Sequence, residues 1–189
     1  MRLVLFIVVL FNLGICLGQT KVEYEKRVDA SEIPSEAKED LFDCFEDDVK
    51  VKWFYQRDGK KKVYEAKFDY KGIVYSVEFE LDGEIENVEV LLNEKDMESS
   101  VLESIKRSVS KAYSDFKILK IQREYVGDDD DLFAVIKGEF PEDVEINYEV
   151  EVNVKQNKRR KLYEVILAED YEILSRRRIK LQSTDVLDY

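Results

Sequence analysis

From Val49 onward the chain alternates apolar and polar residues with a period of two, in runs broken by turn signals. Val49, Val51 and Trp53 fall on one side, with Lys50 and Lys52 on the other, before the turn signal Asp58-Gly59. Tyr64, Ala66, Phe68 and Tyr70 then alternate with Glu65, Lys67 and Asp69, and Lys71-Gly72 supplies a tight turn. Ile73, Tyr75, Val77, Phe79 and Leu81 alternate with Val74, Ser76, Glu78 and Glu80. Asp82-Gly83 turns once more into a strand over residues 84–92. Successive side chains of a strand point to opposite faces, so this pattern predicts an antiparallel meander with one apolar and one wet face. The period before it is helical. Pro34 suits a first helical turn, and Ala37, Leu41, Cys44 and Phe45 form a stripe opposite Glu36, Glu39 and Asp40. This helix is predicted to end near Asp47 and to cover the aromatic sheet face.

The order then repeats. After a polar linker over 93–98, Ser100 and Glu103 fit a capping box, and Val101, Ile105, Val109, Ala112 and Tyr113 form a second helical stripe. Residues 116–125 read as a strand whose phase slips between Ile118 and Leu119, which predicts a bulge. Residues 127–131 read as an acidic loop and 132–140 as an added strand stopped by Pro141. Ile146, Tyr148, Val150, Val152 and Val154 alternate with Asn147, Glu149, Glu151 and Asn153. A basic hairpin tip at 157–161 leads to strands over 162–168 and 171–174. Tyr64-Glu65-Ala66-Lys67-Phe68 matches Tyr148-Glu149-Val150-Glu151-Val152, and Tyr75-Ser76-Val77 matches Tyr163-Glu164-Val165. The predicted fold class is therefore α+β: two tandem helix-plus-four-stranded antiparallel sheet units, over 33–95 and 96–175, sharing one extended concave sheet. Residues 19–32 are a polar lead-in with an edge strand at Val22–Tyr24, and 176–189 are a charged, frayed tail.

The first unit resembles the PepSY-like, β-lactamase-inhibitor-like periplasmic domain family. The resemblance rests on Ile33-Pro34-Ser35-Glu36-Ala37-Lys38, on Val49-Lys50-Val51-Lys52-Trp53, and on Tyr64-Glu65-Ala66-Lys67-Phe68 followed by Gly72, Tyr75-Ser76-Val77-Glu78-Phe79 and Asp82-Gly83. The second unit is looser, lacking the Trp and both turn glycines. The resemblance implies a helix packed on a four-stranded sheet, tandem copies joined into one concave sheet, and a bacterial, exported, non-catalytic protein whose sheet surface holds a partner. It names no target, because function resides in sites rather than folds.

The N-terminus fixes an expected address. Arg2, an apolar run over 3–13 and Cys16-Leu17-Gly18 form a secretory signal over residues 1–18, cleaved after Gly18. The run is too short for a stable span, and Ile15 argues against acylation of Cys16. Formal net charge is −12, and loss of Arg2, the signal's only charge, makes it −13. That acidity disfavours nucleic acid and anionic membranes as partners. Cys44 alone remains after cleavage, on an apolar stripe, so no internal disulfide is expected.

Enzyme chemistry finds little support. The chain has no histidine, which removes Ser–His and Cys–His schemes and most zinc sites. Phosphate-cradling and dinucleotide motifs are absent from the sequence. Asp128–Asp131 lacks the alternating ligands of a calcium loop. No catalytic residue, metal or cofactor is expected. The wet face is either a solvated, self-paired surface or a docking surface for an unidentified protein or peptide, such as an envelope enzyme to be inhibited. Its candidate residues are Lys50, Lys52, Phe54, Glu65, Lys67, Val74, Glu78, Glu149 and Glu151, with Trp53 as a rim anchor. The competing expectations are a small-ligand carrier, with a pocket between helix and sheet lined by Phe68, Tyr75 and Phe79, and an envelope scaffold. Oligomeric state is not legible.

Overall fold

A computed structural model describes residues 20–139 and 141–181. Residues 1–19, which include the signal segment 1–18, Phe140 and residues 182–189 lie outside the described residues. Strands run over Thr20–Arg27 (β1), Lys52–Asp58 (β2), Lys61–Tyr70 (β3), Ile73–Phe79 (β4), Ile85–Leu91 (β5), Phe116–Val126 (β6), Glu145–Gln156 (β7), Arg159–Ala168 (β8) and Ile173–Leu181 (β9). Helices run over Ser35–Phe42 (α1), Ser99–Ala112 (α2) and Asp129–Lys137 (α3).

The strands pair in chain order and close into one nine-stranded barrel. All neighbours are antiparallel except β1 and β9, which join in parallel from Thr20↔Arg178 to Glu23↔Leu181. This overturns the expected pair of tandem units on an open concave sheet. Sequential antiparallel pairing carries the wall from β5 straight into β6, from Val88↔Tyr125 to Leu91↔Gln122. Register shifts at Glu78/Phe79, Ile118/Lys120 and Ile166/Leu167 bend it, because a bulge kinks its strand and increases local twist. The bulge expected beside Leu119 is one of them. The lead-in and the tail supply the closure. β1 is not an edge strand but pairs on both sides, and the tail beyond Arg176 is ordered to Leu181 as β9.

The apolar face points outward, beneath the helices. Ile33, Ala37 and Leu41 at α1, with Leu132, Val135 and Ile136 of α3, pack on Trp53, Phe68, Val77 and Phe79. Ile105 and Val109 of α2 cover Val150, Val152, Val165 and Leu167. The expectation that a helix covers the aromatic face therefore holds. Residues 129–137 are a helix, not an acidic loop running into a strand. Asp129, Asp130 and Asp131 occupy its first turn, where negative charge suits the helix dipole, and Gly138 ends it in a left-handed conformation. Helix α1 stops at Phe42, short of Asp47, although Cys44 and Phe45 still pack on the core. Helix α2 starts at Ser99 after Glu98 and has no side-chain cap, so the Ser100–Glu103 box does not form.

The turn at Gly83 joins sheet to helix. Its φ is +112°, and a Cβ there would lie 3.0 Å from Cβ of Pro34 at the start of α1. Gly83→Ala is expected to destabilise by roughly 1–3 kcal/mol, combining backbone strain with the displaced helix end. Gly59 has φ +61° and open space, so Gly59→Ala tests strain alone. Urea midpoints of the two variants should place Gly83→Ala lower.

Candidate functional site

The alternation that sends aromatics outward sends charged and amide side chains into the barrel. Paired residues share a face, so Phe54↔Glu65↔Glu78↔Asn87 and Lys67↔Ser76↔Glu89↔Glu124 run as rows across the inner wall. β7 adds Asn147, Glu149 and Glu151, paired with Glu124, Gln122 and Lys120. These rows enclose a cavity of about 760 Å³, lined among the described residues by seven glutamates and three lysines, with Gln56, Ser76 and Gln122. Val74 and Leu91 give it an apolar patch. Val74 is 43% exposed and marks the mouth, beside the β3–β4 turn.

Six of the expected docking residues line this one cavity: Glu65, Lys67, Val74, Glu78, Glu149 and Glu151. Lys52 and Phe54 lie on the same face of β2, and Nζ of Lys67 sits 4.7 Å from the centre of the Phe54 ring. Lys50 precedes β2 and is exposed. Trp53 is no rim anchor. It is buried in the core against Phe79, ring centres 5.8 Å apart. Phe68, Tyr75 and Phe79 are likewise buried, and Phe68 and Tyr75 stack at 5.2 Å, so they form packed core under the helices. The pocket is thus on the opposite side of the sheet from the one expected of a carrier.

The three lysines that line the cavity, and Lys61 beside it, are engaged in ion pairs. Lys67 bridges Glu25 at 2.7 Å and Glu65 at 2.9 Å. Lys120 reaches Glu151 at 2.7 Å and Glu149 at 3.6 Å. Lys61 bridges Glu78 and Glu86, both at 2.8 Å. Lys21 pairs with Glu164, which Arg177 also contacts while reaching Asp58. Glu89 differs. Among the described residues it forms no ion pair, and its polar contact is Gln122 Nε2, donating to Oε2 at 2.6 Å. Burial, reinforced by Glu149 and Glu78, pushes the Glu89 carboxyl well above the usual carboxylate range. Burial, with Glu164 nearby, pushes Glu149 up to about 7 despite Lys21 and Lys120.

Sequence reasoning missed Lys21, Glu23 and Glu25 on β1, and Arg177 on β9, by assigning them to lead-in and tail. It also passed over Glu89, Lys120 and Gln122. Their signal is the same alternation: Glu89 lies between Val88 and Val90, and Lys21, Glu23 and Glu25 alternate with Val22 and Tyr24. Groups of three or more potential metal ligands do not converge anywhere among the described residues. Cys44 is buried, its thiol pushed up to about 11 by burial, which makes it a poor nucleophile at neutral pH.

The sequence matches no established family profile, and no curated protein is similar to it. Solved structures resemble it in fold. A DUF2874 family protein from Bacteroides ovatus is similar at 16% identity, over 77% of this chain and 87% of that one, with a TM-score of 0.52. A DUF2874 family protein from Bacteroides uniformis is similar at 14% identity, over 77% and 88%, with a TM-score of 0.50. A BLIP-like protein from Bacteroides fragilis aligns at 16% identity, over 81% and 91%, with a TM-score of 0.47. No helix among the described residues is long and apolar enough to cross a membrane.

Proposed function

We propose that this chain is an exported, non-catalytic binding protein whose ligand enters the lumen of the barrel. The observation that carries the reading is the 760 Å³ cavity enclosed by the charged sheet face. Pockets of roughly 300–1,000 Å³ suit small ligands. A closed wall admits a small molecule or the side chain of a partner's segment, whereas a protein surface needs an open sheet to lie on. Export rests on the signal segment over residues 1–18. The absence of histidine from the sequence removes Ser–His and Cys–His nucleophilic schemes, which supports a binding role.

Val74→Trp tests this reading. Val74 lines the cavity yet is exposed, so a larger side chain there obstructs the mouth without entering either hydrophobic core. Native mass spectrometry of the mature protein, with thermal-shift screening of small cations, anions and neutral compounds, should reveal ligands that bind the parent. Binding to Val74→Trp should fall at least about tenfold, equivalent to about 1.4 kcal/mol, at an unchanged melting temperature. Ligands held equally by both proteins, or none held by the parent, would overturn the proposal.

A further inference from the structure

Charge and hydrogen bonding in the lumen are unbalanced in the same direction. Seven carboxylates face three lysines around the cavity, and each of those lysines already pairs with glutamate. The amides repeat the imbalance. Gln122 gives its Nε2 to Glu89, Asn87 gives Nδ2 to Glu78 at 3.2 Å, and Asn147 gives Nδ2 to Glu124 and Glu145. The oxygens of these three amides, Gln122, Asn87 and Asn147, are buried without a protein partner. A buried acceptor without a protein partner is costly unless a bound group supplies the donor. Gln122 lines the cavity while only 6% exposed, and its unpartnered Oε1 belongs to the amide that holds Glu89. What the lumen lacks is hydrogen-bond donors and positive charge.

Resting on the reading of the lumen as a ligand site, we propose that the ligand is a small organic ammonium ion, seated beside the Glu89–Gln122 pair with its aliphatic stem against Val74 and Leu91. An ammonium brings three donors, no acceptor and one charge, the complement of an acceptor-rich wall. A metal ion fits poorly, because the carboxylates are spread around the wall and do not converge. A free alkylamine and the side chain of a lysine in a peptide share this chemistry. The groups facing Glu89 are Glu65 of β3, Ser76 and Glu78 of β4, Lys120, Gln122 and Glu124 of β6, and Glu149 of β7. Carboxylates dominate that set, so an arriving cation satisfies a neighbourhood that disfavours the Glu89 charge.

Calorimetry on the mature full chain at pH 8 would use pentylammonium, an acetylated and amidated Gly-Lys-Gly peptide, and pentanol and pentanoate as neutral and anionic controls. The ammonium compounds should bind at least tenfold more tightly than either control. Tight binding of pentylammonium alone identifies a free amine, and tight binding of the peptide alone identifies a partner's lysine. Glu89→Gln should weaken ammonium binding at least tenfold, and Glu94→Gln, a surface charge paired with Lys106, should leave it unchanged. Glu89→Gln should also melt above the parent at pH 8, with the gap closing near pH 4. A raised folded-state value makes ionisation oppose folding only above the ordinary carboxylate range, so weakened binding would not reflect unfolding. Ammonium binding no tighter than the controls, or unaffected by Glu89→Gln, would overturn the cation assignment. If Val74→Trp then still blocked a neutral ligand, the lumen reading would stand without it.

Discussion

Replacing Glu164 with glutamine is expected to cost about 3–5 kcal/mol of folding stability at neutral pH, the usual penalty for removing one partner of a buried ion cluster. Glu164 is fully buried on β8. It accepts from Lys21 of β1, and from Nε and Nη2 of Arg177 of β9 at 2.9 and 2.7 Å. Arg177 in turn reaches Asp58 of β2. The cluster thus ties four consecutive strands, β8, β9, β1 and β2, across the parallel seam. Burial alone would raise its pKa, but Lys21 and Arg177 outweigh burial and hold it below the ordinary carboxylate range. A depressed value contributes stability that is present above the unfolded-state value and lost as pH falls through the folded one. The parent's urea midpoint should therefore drop below about pH 4.5, and that part of the drop should be missing in Glu164→Gln. The triple variant Lys21→Met, Glu164→Leu, Arg177→Met should recover most of the loss at pH 7, because apolar replacement of a whole buried cluster is often neutral or favourable. A Glu164→Gln cost under about 1 kcal/mol would place the cluster with ordinary surface pairs.

The cluster also shows where sequence reading succeeds and stops. Alternation in β3, β4 and β7 correctly divides Tyr64, Phe68, Tyr75 and Val150 from Glu65, Lys67, Ser76 and Glu149. Turns at Gly59, Gly72 and Gly83 fall where Asp-Gly and Lys-Gly place them. Period two reports two faces but does not distinguish open solvent from a polar lumen, since both accept charge. The choice is made by curvature and by the partner of β1, which are long-range properties. Lys21 and Arg177 are separated by most of the chain, and their local sequences, Thr20–Arg27 and Ile173–Leu181, are too charged to resemble interior strands. Helix α3 was legible in principle: Leu132, Val135 and Ile136 have helical spacing, and all three are buried. The acidic run before them reads as a loop only if its fit to a helix N-terminus is overlooked. Trp53 illustrates the opposite error. A position near a strand end suggested a rim, yet α1 and α3 extend the core over it.

A chain ended after Ser175 should lose cooperative unfolding altogether. The truncation removes every residue of β9 that pairs with β1, and the pairs Tyr163↔Arg178, Glu164↔Arg177 and Val165↔Arg176 with β8. It exposes the edges of β1 and β8 together and strips Glu164 of Arg177, so hydrogen bonding, closure and charge pairing fail at one seam. Ile179, buried at the same seam, goes with them. Trp53, the chain's single tryptophan, reports the outcome from β2, the strand next to β1. In the full chain the barrel wall links the core under α1 and α3 to the core under α2, so Trp53 fluorescence and far-UV circular dichroism should follow one urea transition. In the truncated chain the fluorescence should change gradually, without a shared midpoint. Retention of the parental midpoint would mean that the wall is stable as an open sheet, which would also return its charged face to solvent and remove the enclosed cavity on which the ligand proposal stands.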